Sequence, residues 1–292
     1  MRLSVFDDYR LAVWASDEEL VDVTSLIDEQ VDPPRRMTAL IAAWDDLAEP
    51  VAALQATGPR RAAATVALRA PQPCPGEIVA APVNYHRHQQ EMGGETGVYQ
   101  GARIETIETY VGFMKATSSI VGPDRPIELP FPQRRTDYEG ELGVVIGRTA
   151  SCVSAADALD HVFGYVPLLD ITLRGPEDRS YRKSFDTFTA IGPWIVTADE
   201  VADPDRLELE LRLNGTVRQH ANTADLIYGV RRLVATYSEA MTLSPGDLIA
   251  TGTPEGVGEI VAGDEIELSI EAVGELRMRV AARAPIPTGV AA

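Results

Sequence analysis

Cysteine is nearly absent from this sequence. Among 292 residues there are two, Cys74 and Cys152, too few and too far apart for a disulfide framework of the secreted kind, and both are expected to be reduced. Basic residues are outnumbered, 26 Lys and Arg against 44 Asp and Glu, which leaves a formal charge of −18 and a pI near 4.6. Phosphate binding needs a basic stripe, so nucleic acid is excluded as a partner. No window approaches the ~20 apolar residues that span a bilayer. The start, MRLSVFDDYRLAVW, lacks the basic region and long apolar core of a signal sequence. A cytoplasmic protein with no membrane partner is expected. Histidine is also scarce, at positions 86, 88, 161 and 220 only, and there is no internal repeat or low-complexity tract. The remaining composition, 45% apolar and 24% charged, is that of an ordinary globular protein able to bury a sizeable core.

Along the chain, residues 1 to about 24 run LSVF, LAVWA and LVDV, the pattern of a small antiparallel hairpin unit. MTALIAAWDDLAEPVAALQA, from Met37 to Ala56, has helical spacing with Pro50 as a kink or break. Prolines 71, 73 and 75 mark the expected boundary between an N-terminal accessory domain, residues 1–73, and a larger domain, residues 74–285. Residues 286–292 read as a loose tail. ELELRLNGTVRQH predicts two strands around an Asn214-Gly215 turn, a helix is expected from Thr223 to Met241, and DEIELSIEAVGELRMRVA alternates as paired strands.

DYEGELGVVIGR, residues 137–148, carries the chemistry. Residues i and i+2 of a strand share a face, so Glu139 and Glu141 lie side by side, and Gly143 continues that face without a side chain. Two adjacent carboxylates repel and need a cation or a shared proton. Glu-x-Glu alone also fits an exposed strand of an acidic protein; a metal site requires a third ligand. Asp170 supplies one, at the carboxyl end of the apolar run HVFGYVPLLD. Three carboxylates with no nearby Cys or His favour Mg²⁺ or Mn²⁺, with Ca²⁺ behind, over zinc.

NYHRHQQEMGG, residues 84–94, predicts a short helix capped by Asn84 and ended by Gly93 or Gly94. His88 and Glu91 stand three apart on it and can touch, and a carboxylate that orients an imidazole raises its basicity. The same spacing also suits a surface helix with incidental charge. Beyond Asp170, ITLRGPEDRSYRKSFDTFTAIGPWIV is a polar, Gly- and Pro-punctuated loop that contains Lys183; loops of this length between buried strands are usually functional. SPGDLIATGTPEGVG lacks the lysine and spacing of a phosphate-binding loop and reads as backbone folded around a small ligand.

Six stretches, NYHRHQQEMG, KATSSIVGP, DYEGELGVVIGR, KSFDTFTAIGPWIV, NGTVRQHANTADLIYGV and LSPGDLIATGTPEGVG, occur in the order found in the fumarylacetoacetate hydrolase family, which the chain resembles over roughly residues 74–281. The resemblance implies a strand-rich α+β fold, a mixed β-sandwich roll with flanking helices beside the small N-terminal α/β unit expected over residues 1–73, forming a homodimer that binds Mg²⁺ or a similar cation. It implies that Glu139, Glu141 and Asp170 hold the metal, that Lys183 is the active-site lysine, and that His88 and Glu91 belong to a lid helix. Arg174, Thr253, Tyr85 and the residue at 177 would contact the substrate. The implied reaction is hydrolysis of a carbon–carbon bond in a 2,4-dioxo acid: His88 activates water, Lys183 stabilises the oxyanion and an enolate leaves. Without water attack the same chemistry gives decarboxylation or isomerisation of an unsaturated 2-oxo diacid, and a non-catalytic metal-binding protein is a third reading. The run from Leu169 through Gly175 to Glu177 departs from the family pattern. Glu177 replaces a frequent glutamine, where its charge would repel an acidic substrate tail unless Arg179 or Arg182 pairs with it.

Overall fold

The computed structural model describes residues 1–93 and 104–284, so Gly94 and the expected tail lie outside the described residues. The strand Gly140–Ile146 is buried along its whole length and pairs antiparallel with Val162–Asp170 on one side and Leu248–Ala250 on the other. Alternation divides its side chains between two cores, Leu142, Val144 and Ile146 facing one and Val145 the other. Gly143 is demanded by the neighbouring strand, since a Cβ there would meet Val166 Cγ1 at 2.8 Å.

From this centre the sheet extends one way through Ile78–Ala80 to Phe113–Met114. The other way it passes through Ile195–Thr197 to the N-terminal strands Arg2–Phe6, Arg10–Trp14, Glu19–Asp22 and Arg60–Ala62. The expected N-terminal hairpin therefore forms, and pairing of Leu3 with Ile195 makes it part of the large sheet. A second sheet, containing Glu208–Leu213, Thr216–Asn222, Glu265–Ile270 and Gly274–Ala282, turns through Asn214 and Gly215, both at positive φ. Leu209, Leu211, Leu268 and Met278 from it close a core with Val144, Tyr165 and Leu169 of the first. The result is the expected strand-rich α+β arrangement of packed mixed sheets. Among the described residues no helix is long and apolar enough to cross a membrane.

Three local expectations need correction. The helical segment breaks at Ala43, between α1 (Arg36–Ala42) and α2 (Trp44–Thr57), while α2 runs through Pro50. Leu47, Val51 and Leu54 bury one face of α2 against the N-terminal strands, which offsets the hydrogen bond lost at the proline. The helix expected over residues 84–94 does form, starting later, as α3 (His86–Gly93), and α4 (Ile107–Tyr110) is the next helix described. The segment after Asp170 is not loop throughout: it contains the strand Thr172–Leu173, α5 (Arg179–Arg182) and the strand Thr189–Ile191, whose Thr189 pairs with Asp170. The helix expected from Thr223 shrinks to α6 (Val230–Ala240). Gly229 is extended before it, and Asp205 Oδ1 accepts from the Val230 N–H at 2.6 Å, fixing its start.

Candidate active site

Strand register brings the three carboxylates together. Gly140 lies opposite Leu169 and the Asp170 N–H donates to the Glu139 carbonyl at 2.9 Å, so Asp170 joins Glu139 and Glu141 on one face. One oxygen from each falls within 4.8 Å of the others, and all three residues are buried. Lys183 Nζ donates to Glu139 Oε2 at 2.6 Å and to Asp170 Oδ2 at 2.5 Å. Lys115 Nζ donates to Asp170 Oδ1 and, at 3.0 Å, to the Phe188 carbonyl. These two buried residues are the only lysines in the sequence. Arg174 reaches Glu139 Oε1 at 3.0 Å through Nη2 and Asp137 Oδ2 at 2.7 Å through Nε.

The charges of this cluster divide unequally. Burial alone would raise the Glu139 carboxyl, but Lys183 and Arg174 outweigh it and hold it down to about 2. Burial, and then the charge of Asp170, push the Glu141 carboxyl well above the usual carboxylate range, although its Oε2 accepts the Gly252 N–H at 2.7 Å. Lys183 is raised, because Asp170, Glu139 and Glu141 together overcome the effect of burial. Lys115 is lowered, burial there outweighing its contact with Asp170. The donor set fits a hard divalent cation: three carboxylates, all oxygen, one of them favouring its proton until a positive charge displaces it.

The glycine-rich turn closes over this floor. Gly252, at φ +97, directs its N–H at Glu141, and Thr253 lines the cavity. Gln219 ties the turn to the acidic strand: Nε2 donates to Thr253 Oγ1 at 2.8 Å and to the Pro254 carbonyl at 2.9 Å, while Oε1 accepts from the Gly140 N–H at 2.9 Å. On α3, His88 Nδ1 lies 3.3 Å from Glu91 Oε2, and Glu91 Oε1 accepts the Gly256 N–H at 2.9 Å. Asn84 does not cap α3. Its buried side chain donates to the carbonyls of Tyr228 and Thr251 and accepts from the Tyr228 N–H, bonds that tie loops across the core in place of a free helix end.

A cavity of about 230 Å³ opens onto the cluster, lined in part by His88, Glu139, Glu141, Arg174, Lys183 and Thr253. Asp170 lies beneath it, held by both lysines. Tyr85, expected at the substrate, is buried outside the lining, bridged through its backbone to Leu226, with its phenol raised by burial and by the charge of Glu141. Glu177 is also outside the lining. Arg134, rather than either arginine considered from the sequence, pairs with both its oxygens at 2.8 Å; Arg182 reaches its backbone carbonyl. Sequence reasoning missed Lys115, Asp137, Arg134 and Gln219. Lys115 stood at the head of KATSSIVGP directly after the apolar pair Phe113-Met114, a signal that it follows a buried strand.

A buried all-carboxylate cluster open to a cavity is the kind of site a metal-dependent enzyme uses, and the comparisons with known proteins agree. Residues 77–281 match the family model for the fumarylacetoacetate (FAA) hydrolase C-terminal domain. The chain belongs to the fumarylacetoacetate hydrolase family. It is 42% identical over 285 residues to maleylpyruvate hydrolase of Aquipseudomonas alcaligenes, covering 96% of this chain and 99% of that protein. The structure of maleylpyruvate hydrolase from Sphingobium sp. SYK-6 in complex with manganese(II) and pyruvate superposes with a TM-score of 0.86 at 40% identity, covering 97% of this chain and all of that one. A probable 2-hydroxyhepta-2,4-diene-1,7-dioate isomerase from Mycobacterium abscessus is more distant, with a TM-score of 0.78 at 28% identity over 98% of this chain and all of that one.

Proposed function

We propose that the chain hydrolyses the C3–C4 bond of an acylpyruvate, with maleylpyruvate as the leading substrate, to give pyruvate and the acid of the acyl group. One observation carries the reading: a single cavity opens onto an all-carboxylate triad and is lined by a histidine that a glutamate orients. Glu139, Glu141 and Asp170 would hold a divalent cation, Mg²⁺ or Mn²⁺ ahead of Ca²⁺. Such an ion supplies Lewis acidity toward the carboxylate and keto oxygens of a 2-oxo acid. His88, oriented by Glu91, takes a proton from water as its oxygen attacks the C4 carbonyl carbon. Lys183 stabilises the oxyanion that develops. The C3–C4 bond then breaks, its electron pair passes into the enolate of pyruvate, and a proton returned to C3 completes the product. Arg174 and Thr253 position the 2-oxo acid end of the substrate.

The hydrolase reading is preferred to isomerisation because the relatives matched over nearly the whole chain at 40–42% identity are hydrolases of this kind. The same reading makes the protein a cytoplasmic enzyme of aromatic-compound catabolism. Homodimer formation follows from the family resemblance, and an accessory role for residues 1–73 from the proline-marked boundary that separates them from the matched region. Pyruvate release from maleylpyruvate is the test. It is expected to vanish after chelation and to return with Mn²⁺ or Mg²⁺; carbon dioxide release or a tautomer shift without pyruvate would refute hydrolysis.

A further inference from the structure

The reaction leaves one buried cation on the cavity wall unused. Arg182, at the end of α5, is 7% exposed and lines the cavity beside Lys183. Its Nε donates to the Glu177 carbonyl at 2.8 Å and its Nη1 to the Leu173 carbonyl at 3.3 Å, which leaves Nη2 without a protein acceptor among the described residues. The carboxylates around it are committed elsewhere, Glu177 to Arg134, Glu139 to Lys183 and Arg174, and Asp170 to both lysines. Glu105 shares the wall and accepts from Thr109 Oγ1 at 3.1 Å, and Arg179 stacks over the Tyr110 and Phe113 rings at 5.0 and 5.5 Å. A guanidinium keeps its charge under all these conditions. Held in a dry wall by neutral carbonyls, it favours an anion from the ligand.

We propose that Arg182 selects a diacid, its guanidinium binding the terminal carboxylate at the acyl end of the substrate while the triad end takes the 2-oxo acid. The inference rests on the acylpyruvate reading. It also gives the Arg134–Glu177 pair a purpose: a bidentate partner neutralises the carboxylate of the residue whose backbone carbonyl holds Arg182, which would otherwise repel the tail of a diacid. The subsite is therefore specified from two sides, by a cation that faces the cavity and by an anion that is silenced.

The test compares kcat/KM for maleylpyruvate and for its analogue with methyl in place of the terminal carboxylate, on the Mn²⁺-loaded enzyme. Arg182→Met is expected to lower the ratio of diacid to neutral activity about 100-fold, mostly through KM, the scale of a charge-assisted hydrogen bond. Arg182→Lys should recover part of that ratio. Arg134→Gln, which lies outside the buried wall, should lower the same ratio about 10-fold by releasing the Glu177 charge, and the double variant with Glu177→Gln should restore it. Equal losses on both substrates in Arg182→Met, or an unchanged ratio in Arg134→Gln, would overturn the proposal. If the wild-type enzyme cleaves neither substrate, the acylpyruvate reading fails separately. Arg182 is then judged by calorimetric titration of maleate and isocrotonate into the Mn²⁺-loaded, pyruvate-saturated protein: tighter binding of maleate that Arg182→Met abolishes supports it, and equal binding overturns it.

Discussion

Glu139, Glu141 and Asp170 stand on or beside paired strands of seven and nine residues in the middle of the largest sheet, whereas His88 and Arg182 stand on helices of eight and four. The floor of the cavity is fixed by strand register and by buried ammonium groups on both sides of Asp170. The rim is attached by a few cross-ties, such as Glu91 to the Gly256 N–H and Gln89 Nε2 to the Ile104 carbonyl at 2.6 Å. A fold can change a rim of this kind at little cost to its core, while any change in the floor disturbs several buried charges at once. On the proposed reading, chemistry common to 2-oxo acids belongs to the floor, and choice of substrate and of attacking group to the rim.

The largest effect should come from breaking the floor. Asp170→Asn leaves two buried ammonium groups without their shared carboxylate, which should destabilise the metal-free protein by about 3–5 kcal/mol, the cost of breaking a buried ion pair. Mn²⁺ binding by calorimetry and the thermal midpoint should fall together; a variant that binds Mn²⁺ normally would show that Asp170 is not a ligand. A rim change should separate the two regions more finely. His88→Ala is expected to lower carbon–carbon hydrolysis by about 10²–10⁴-fold, the usual worth of general acid–base catalysis. Decarboxylation of oxaloacetate, which needs no attacking water, should survive if the floor is intact; parallel loss of both reactions would place His88 in the floor chemistry.

The smallest effect concerns pH. Glu141 has a folded pKa above its ordinary value of 4.5, so it stabilises the metal-free protein below that value, and the contribution is lost as pH rises through the folded pKa. Glu139 has the opposite sign: its contribution is present above 4.5 and is lost as pH falls toward about 2. A carboxyl whose pKa differs by one between the folded and unfolded chain contributes about 1.4 kcal/mol, or about 2–4 °C in Tm for a chain of this order of size. Thermal melts with and without Mn²⁺ should therefore diverge as pH rises above 4.5, because the ion requires Glu141 ionised. Parallel curves across that window would mean that Glu141 is already ionised without metal.

Much of the floor was legible because its information is local. Alternation in DYEGELGVVIGR put Glu139 and Glu141 on one face, and the apolar run HVFGYVPLLD delivered Asp170 to the end of a buried strand. The N-terminal hairpin and the Asn214-Gly215 turn were readable for the same reason. What escaped depends on residues distant in sequence. Lys115 meets Asp170 across 55 positions, Gln219 meets Gly140 across 79, and Arg134 meets Glu177 across 43. Asn84 was misread because an asparagine before a helix fits a cap equally well until Tyr228 and Thr251 are seen beside it. The start of α6 was similarly decided by Asp205, from a different segment.

Confining both lysines to the floor also changes how the protein can be handled. Every ε-amino group in the chain lies in the candidate active site, and arginine supplies all the other strongly basic side chains. Amine-directed reagents, which label most proteins over the whole surface, therefore have no outer lysine to consume them here. Slow modification of Lys115 or Lys183, followed residue by residue by mass spectrometry, becomes a clock for opening of the site. A substrate that seals the cavity should stop that clock without any engineered probe.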